Sequence, residues 1–286
     1  MSHYPISPYG VSLSKQQLRQ MIRVVYAINH LSDLALYQDD SASIIPAIAK
    51  QSCSQHAVMM GYDFHLTQTV PQLIEVNTNA GGLWLACLAG NLQLTSFPNR
   101  LAQRVVMTFM QTYCAFYQNP QATLRHLVII DDNPAEQFLF AEMQQFANLF
   151  RQVGISCAIA DPRDIERRSD GLYLHQQRID MLYNRHCDFY LESHSMQDIL
   201  QAWLNHQVCL SPNPYAYALF ADKQNLIAWS HKKQLDHFGM PARQQQYLLQ
   251  SIPTTHWLNS FSFQENWTNR KQWVFKPLLS LIHISE

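Results

Sequence analysis

Between residues 14 and 36 the apolar side chains Leu18, Met21, Ile22, Val25, Ile28 and Leu31 recur at helical spacing. That rhythm lays them along one side of a helix, so an amphipathic helix is expected over 14–36. Similar spacing marks helices near 43–51 and 100–118. Between them come two short runs, 61–66 and 72–77, around a polar turn holding Pro71; they read as the paired strands of a hairpin. A different text begins at 127. The apolar run 127–130 ends in Asp131-Asp132-Asn133-Pro134, a helical pattern covers 135–153, Gly154 stops it, and 155–160 is again apolar. Strand, turn, helix, glycine and strand make the repeating unit of a parallel sheet.

Strands are further expected at 172–174 and 179–183, and a helix at 193–205. The turn Ser211-Pro212-Asn213-Pro214 then leads to a helix over 217–229 and another over 232–238, closed by Gly239. Residues 273–275 read as a strand running into Lys276-Pro277. No internal repeat is present. The fold class expected is α/β with mixed α+β elements.

Composition narrows the class. A chain of 286 residues suits roughly two domains, and 47% apolar against 14% charged residues is too apolar for disorder. The net charge of −1 and the lack of a long Lys/Arg run argue against nucleic acid or an anionic membrane as partner. Residues 1–15 carry no signal pattern, and no apolar run approaches the roughly 20 residues that span a bilayer. The six cysteines are scattered without a CxxC pair, as reduced thiols would be. A soluble cytoplasmic protein is expected. The thirteen histidines show no zinc spacing, and no G-x-G-x-x-G follows the strand at 127–130, which argues against a dinucleotide-binding protein.

The segment richest in chemistry is Leu73-Ile74-Glu75-Val76-Asn77-Thr78-Asn79-Ala80-Gly81-Gly82. On a strand Glu75 and Asn77 share a face, with Ile74 and Val76 turned into a core. One anionic and one neutral oxygen ligand side by side suit a hard cation such as Mg²⁺. A strand end with outward polar residues fits equally. Lys276 follows the apolar Trp273-Val274-Phe275; a phosphate would satisfy its ammonium, or the side chain reaches solvent. Lys223 follows Asp222 on the helix expected at 217–229, where an ordinary solvated lysine would also be at home. Arg185 ends a strand beside Asn184 and near Asp188. Its guanidinium suits either a carboxylate substrate or a structural pair with Asp188. Asp131, Asn133 and Gln137 lie where open α/β sheets bind ligands. Asn133-Pro134 also reads as a helix cap with Pro at the first position.

In their order along the chain these segments resemble eukaryotic-type glutathione synthetases, which are permuted ATP-grasp ligases. Ile74-Glu75-Val76-Asn77-Thr78 with Gly81-Gly82 resembles the early metal-binding strand. Gly61-Tyr62-Asp63-Phe64 resembles an upstream substrate strand. Asp131-Asp132-Asn133-Pro134-Ala135-Glu136-Gln137, followed by Glu142, resembles the acidic–Asn–Gln substrate segment. Ile179 to Arg185, with Asp188, resembles the strand ending in a substrate arginine. Leu219-Phe220-Ala221-Asp222-Lys223 and Val274-Phe275-Lys276-Pro277 resemble the segments of the two nucleotide lysines. The match covers most of 58–278 as separate motifs. It departs from glutathione synthetase in length and in most linking text, so glutathione synthesis is not implied.

The resemblance implies a permuted ATP-grasp fold with an inserted Rossmann-like parallel-sheet substrate domain. Residues 1–122 would form a helical region with the metal-binding hairpin, 123–208 the inserted domain and 209–278 part of the nucleotide region. It implies ATP and Mg²⁺ as cofactors, with Glu75 and Asn77 on the metal and Lys223, Lys276 and Asn77 on the nucleotide. Asp63, Asp131, Asn133, Gln137, Asn184, Arg185 and Asp188 would bind substrate, and Arg185 and Lys276 would be catalytic. The activity implied is carboxylate–amine ligation through an acyl phosphate, on small acids and amines such as amino acids or short peptides; a homodimer is compatible with it. The alternative is an ATP-grasp-like binding or regulatory module without catalysis. In this family a glycine-rich loop follows the lysine–proline strand, whereas here 279–286 looks like a translated sequencing adaptor. A chain incomplete at its C-terminus and inactive as it stands is therefore expected.

Overall fold

The computed structural model of the chain describes residues 6–7, 9–50 and 57–277. The expectation for 279–286 lies outside the described residues, as does the end of the helix expected at 43–51. In chain order the helices are α1 (Lys15–Ser32), α2 (Ala35–Ile44), α3 (Leu83–Gly90), α4 (Asn99–Phe116), α5 (Phe140–Gln152), α6 (Gln197–Leu204), the single turn α7 (Pro214–Ala216), α8 (Asn225–Trp229), α9 (Lys232–His237), α10 (Ala242–Ser251) and α11 (Phe263–Asn269). The strands are β1 (Gly61–His65), β2 (Gln72–Asn77), β3 (His126–Ile130), β4 (Ser156–Ala160), β5 (Glu166–Arg168), β6 (Gly171–Leu174), β7 (Gln177–Arg178), β8 (Met181–Asn184) and β9 (Cys209–Ser211). The fold is mixed α/β. It divides into two compact units, each assembled from separated stretches of chain. The first comprises Met1–Val11, Pro46–Gly61 and Thr78–Tyr217; the second comprises Ser12–Ile45, Tyr62–Asn77 and Ala218–Glu286.

The first unit is built on a parallel sheet in the order β4-β3-β8-β9. Alternation along β3 explains its layers. Leu127 and Ile129 enter one apolar cluster, Val128 and Ile130 the other, and all four are fully buried. A strand buried on both faces must read as continuously apolar, and this one does. Phe109 of α4 and Phe146 and Phe150 of α5 fill the first face around Tyr183. Ile199 and Trp203 of α6, with Leu172 and Leu174 of β6, fill the second.

The helix expected over 135–153 begins later than its pattern. A 3-10 turn at Pro134–Glu136 precedes α5. Glu142, in the first turn of α5, is 2% exposed and reaches across to α3. Its carboxylate accepts the backbone N–H groups of Gly82 (3.0 Å) and Trp84 (2.7 Å). It thus caps a helix whose own N-cap, Gly82, has no side chain and sits at φ +92°. That positive φ favours glycine. Gly81 is required for a different reason: a Cβ there would collide with the Arg185 guanidinium and Leu139.

The second unit gathers α1, α10 and the pair β1–β2, whose short link permits only the hairpin form. The buried stripe of α1 is Val24, Ala27, Ile28 and Leu31, against α10, while Leu18 and Ile22 remain exposed. The helix is therefore amphipathic as expected, with its core face rotated from the predicted one. Strand β2 also departs from expectation. Leu73 and Val76 are buried on opposite faces, and Ile74, expected in a core, is exposed. Both faces of β2 are thus partly covered.

Two further expectations fail here. The helix over 217–229 is interrupted: a π-helical stretch, Tyr217–Ala221, ends before a turn at 222–224, and α8 follows. The Asp222 carboxylate accepts the Gln224 N–H (3.0 Å), the local side-chain bond that competes with helix. Lys223 therefore sits on a turn rather than a helix. Residues 273–275 form no strand among the described residues, and Val274 is 84% exposed. Without a neighbouring strand to complete a ladder, apolar composition alone does not make one.

Replacing Glu142 with alanine would strand two N–H donors at the start of α3, the buried one of Trp84 and the partly buried one of Gly82. The expected loss is about 1–3 kcal/mol of stability, read as a lowered urea midpoint; an unchanged midpoint would mean that the cap contributes nothing.

Candidate functional site

The second unit brings together five residues from separated stretches of the sequence. Glu75 and Asn77, two apart on β2, share the strand face that also carries the buried Leu73. The Glu75 carboxylate has one oxygen 3.4 Å from Lys223 Nζ and the other 3.8 Å from Lys276 Nζ. Lys276 Nζ also donates to the Ile74 carbonyl oxygen at 3.0 Å. The side chains are 28% exposed for Glu75, 11% for Lys223 and 34% for Lys276, so the cluster is half-sheltered. Asp63 on β1 accepts the Asn77 side-chain N–H at 3.4 Å. Burial, and then the neighbouring negative charge of Glu75, push the Asp63 carboxyl above the usual range, with Lys276 opposing them. Of the sequence candidates, Asp63, Glu75, Asn77, Lys223 and Lys276 are thus assembled in one place.

That donor set has a definite chemistry. Two carboxylates and an amide oxygen suit a hard cation that takes the rest of its shell from phosphate and water. Two ammonium groups suit the phosphates. Among the described residues no three His, Cys, Asp or Glu side chains are grouped to hold a metal by themselves. A metal here would need oxygen ligands from a partner molecule.

The remaining candidates lie in the first unit, at the carboxyl edge of its parallel sheet. Asp131 follows β3, Asn184 and Arg185 end and follow β8, and Asp161 follows β4. Arg185 is 8% exposed. Its Nη1 donates to the carbonyl oxygens of Asn79 (2.9 Å) and Ala80 and to the Tyr183 hydroxyl (3.3 Å), while its buried Nε has no partner. The pair with Asp188 is not formed. Asp188 instead accepts the backbone N–H groups of Glu192 (3.0 Å) and Ser193 (2.7 Å). Burial would raise its carboxyl, but those bonds outweigh it and leave the pKa below the usual range. Asn184 accepts the His186 N–H at 3.0 Å.

Asn133 sits at φ +40° before the 3-10 turn and caps it without a side-chain bond, so the expected cap is of backbone shape only. Its amide faces Asp132 (3.2 Å) and Arg163 (2.8 Å), and its N–H donates to Asp161 (2.8 Å). Gln137 donates to the Asp132 carbonyl oxygen. The clamp formed by Asp161 and Arg163 is absent from the sequence candidates. Asp161-Pro162-Arg163 after a strand is the signal that carries it, an Asp capping a turn with Pro at its first position. Bonds from the Arg163 side chain, and from the backbone of Arg163 and Asn133, hold the Asp161 carboxyl well below the usual range.

Asp131 behaves oppositely. It is 9% exposed, and burial raises its pKa from 3.8 to about 6, against the Asp132 N–H and Arg185, which lower it. A folded-state pKa above the unfolded value means that the native protein binds the extra proton between about pH 4 and 6, so this group's contribution to stability falls as pH rises through that window. Asp131→Asn is expected to leave stability unchanged at pH 4 and raise it at pH 7.5, read as urea midpoints. An equal change at both pH values would contradict the shift.

No protein-family model matches the chain, and no curated protein matches its sequence. Among solved structures it is similar to a glutathione synthetase-like effector (GSS30) from Globodera pallida, in apo form, with a TM-score of 0.58 and 14% identity. The superposition covers 85% of this chain and 62% of that one, so the chain spans less than two thirds of that neighbour's length. At this identity the likeness concerns the fold alone: the chain is similar in fold to a glutathione synthetase-like protein.

Proposed function

We propose that the chain acts in ATP- and magnesium-dependent ligation of a carboxylate to an amine, on a permuted ATP-grasp fold. The parallel sheet of the first unit would be its inserted, Rossmann-like substrate domain. The observation that carries this reading is the meeting of Lys223 and Lys276, from distant parts of the chain, at the Glu75 carboxylate. A site for a metal-bridged polyphosphate needs this combination, because phosphoryl transfer rests on positioning and charge neutralisation. Lys223 and Lys276 would hold phosphate oxygens, and Glu75 and Asn77 would face the metal with Asp63 beside them. Magnesium nucleotide would supply the phosphoryl group that activates the acid. At the carboxyl edge of the first unit's sheet, Asp131, Asn133, Gln137, Asn184 and Asp188 would contact a small acid or amine, such as an amino acid or short peptide. Arg185 would orient the segment of Asn79 and Ala80 that its guanidinium already holds.

A second reading is an ATP-grasp-like binding or regulatory module without catalysis. The commitment of Arg185 to backbone carbonyls, rather than to an open face, favours it. The neighbour of similar fold is itself described as an effector, which is compatible with either reading.

Calorimetry separates these possibilities from no site at all. Lys223→Met and Lys276→Met should each weaken magnesium–ATP binding roughly ten- to hundredfold, as expected for one lost charge-assisted bond of about 1.5–3 kcal/mol. Release of ADP on adding mixed amino acids and short peptides would favour the ligase, and binding without turnover the second reading. Binding insensitive to both lysines would overturn the proposed site.

A further inference from the structure

Glu75 is the residue proposed to face magnesium, yet each of its oxygens already faces an ammonium group. One is opposite Lys223 Nζ at 3.4 Å and the other opposite Lys276 Nζ at 3.8 Å. These are the same two ammonium groups proposed to hold the polyphosphate. Lys276 is further fixed by the Ile74 carbonyl oxygen, so its approach to β2 is directional. Lys223 and Glu75 are largely sheltered, and a sheltered pair is stronger than a surface one. With Asp63 adjacent, the cluster holds two carboxylates and two ammonium groups among the described residues.

The geometry has a consequence for entry of either ligand alone. Magnesium on its own meets a carboxylate already neutralised by two cations, and no three-residue cage among the described residues to hold it. A nucleotide without metal meets lysines already paired, beside the negative charges of Glu75 and Asp63. Together the two ligands replace each ion pair with an equivalent one.

We propose that Glu75 stands in for the polyphosphate in the empty protein, and that metal and nucleotide enter by exchange. The lysines pass from Glu75 to phosphate as Glu75 passes from the lysines to the metal. This rests on the ATP site proposed above and adds its regulation: neither ligand binds well alone, and each strengthens the other by the same factor. The exchange also gives Lys223 and Lys276 defined positions before the nucleotide arrives, so less side-chain freedom is lost on binding.

The test uses the whole chain and two variants with opposite expected signs. Calorimetry is run with ATP in EDTA, with magnesium chloride alone and with both; manganese alone is followed by electron paramagnetic resonance. The wild type should bind ATP at least tenfold more tightly with magnesium than without, and should show no saturable binding of either divalent ion alone. Glu75→Gln should bind metal-free ATP roughly tenfold more tightly than wild type, because a nearby like charge is gone, and should lose the gain from magnesium. Lys223→Met should weaken ATP binding while creating a manganese site that the wild type lacks, a gain that loss of structure would not produce. If magnesium–ATP binds the wild type but Glu75→Gln gains no metal-free affinity, or Lys223→Met gains no manganese, the exchange is wrong and the ATP site stands. If the wild type binds nucleotide under no condition, both fall.

Discussion

Glu75, a half-sheltered carboxylate, faces two ammonium groups that lie far along the chain. The function proposed for the second unit rests on that arrangement. The arrangement places the turn at 222–224 and the stretch before Pro277 against the same strand, β2, and sets Asp63 and Asn77 beside them. Ordinary surface salt bridges contribute little to stability, so an accumulation of such groups at one strand is better explained by what they could bind than by folding. The same pairing is the basis for the proposal that metal and nucleotide enter together.

The first unit answers a different requirement. Its sheet is apolar on both faces, which leaves polar side chains only at strand ends. Asp131, Asp161, Asn184 and Arg185 occupy that edge, yet they are not equivalent. Asp161 is held ionised by Arg163, and Asp131 is pushed toward its neutral form by burial. Arg185 secures the segment of Asn79 and Ala80, and the absence of a side chain at Gly81 makes room for it. A carboxyl that changes charge near pH 6 beside a carboxylate fixed in charge is the kind of contrast that sites use.

Much of this is legible in residue order. The β-turn-α-Gly-β text at 127–160 specifies the parallel sheet because strand and helix periods differ sharply and Gly154 marks the stop. The shared face of Glu75 and Asn77 follows from strand geometry alone. Other features depend on long-range partners that no local pattern encodes. Apolar Val274 and Phe275 read as a strand, but a strand exists only where another chain segment pairs with it. Lys223 reads as helical because the competition of the Asp222 side chain for the backbone is invisible to periodicity. Glu142 reads as one more acid of a substrate segment. Its place is set by the two N–H groups of α3, a helix that the sequence does not announce because its apolar residues surround the axis without a polar face. The second parallel edge, β9, escapes a sequence reading because it runs directly into the turn that begins at Ser211.

The most direct measurement is a crystal structure of the protein grown with manganese and a non-hydrolysable ATP analogue, using the manganese anomalous signal. Exchange of partners predicts an anomalous peak at the Glu75 carboxylate, with Lys223 Nζ and Lys276 Nζ turned from that carboxylate onto phosphate oxygens. Nucleotide bound elsewhere, or lysines still paired with Glu75 beside a bound nucleotide, would contradict it.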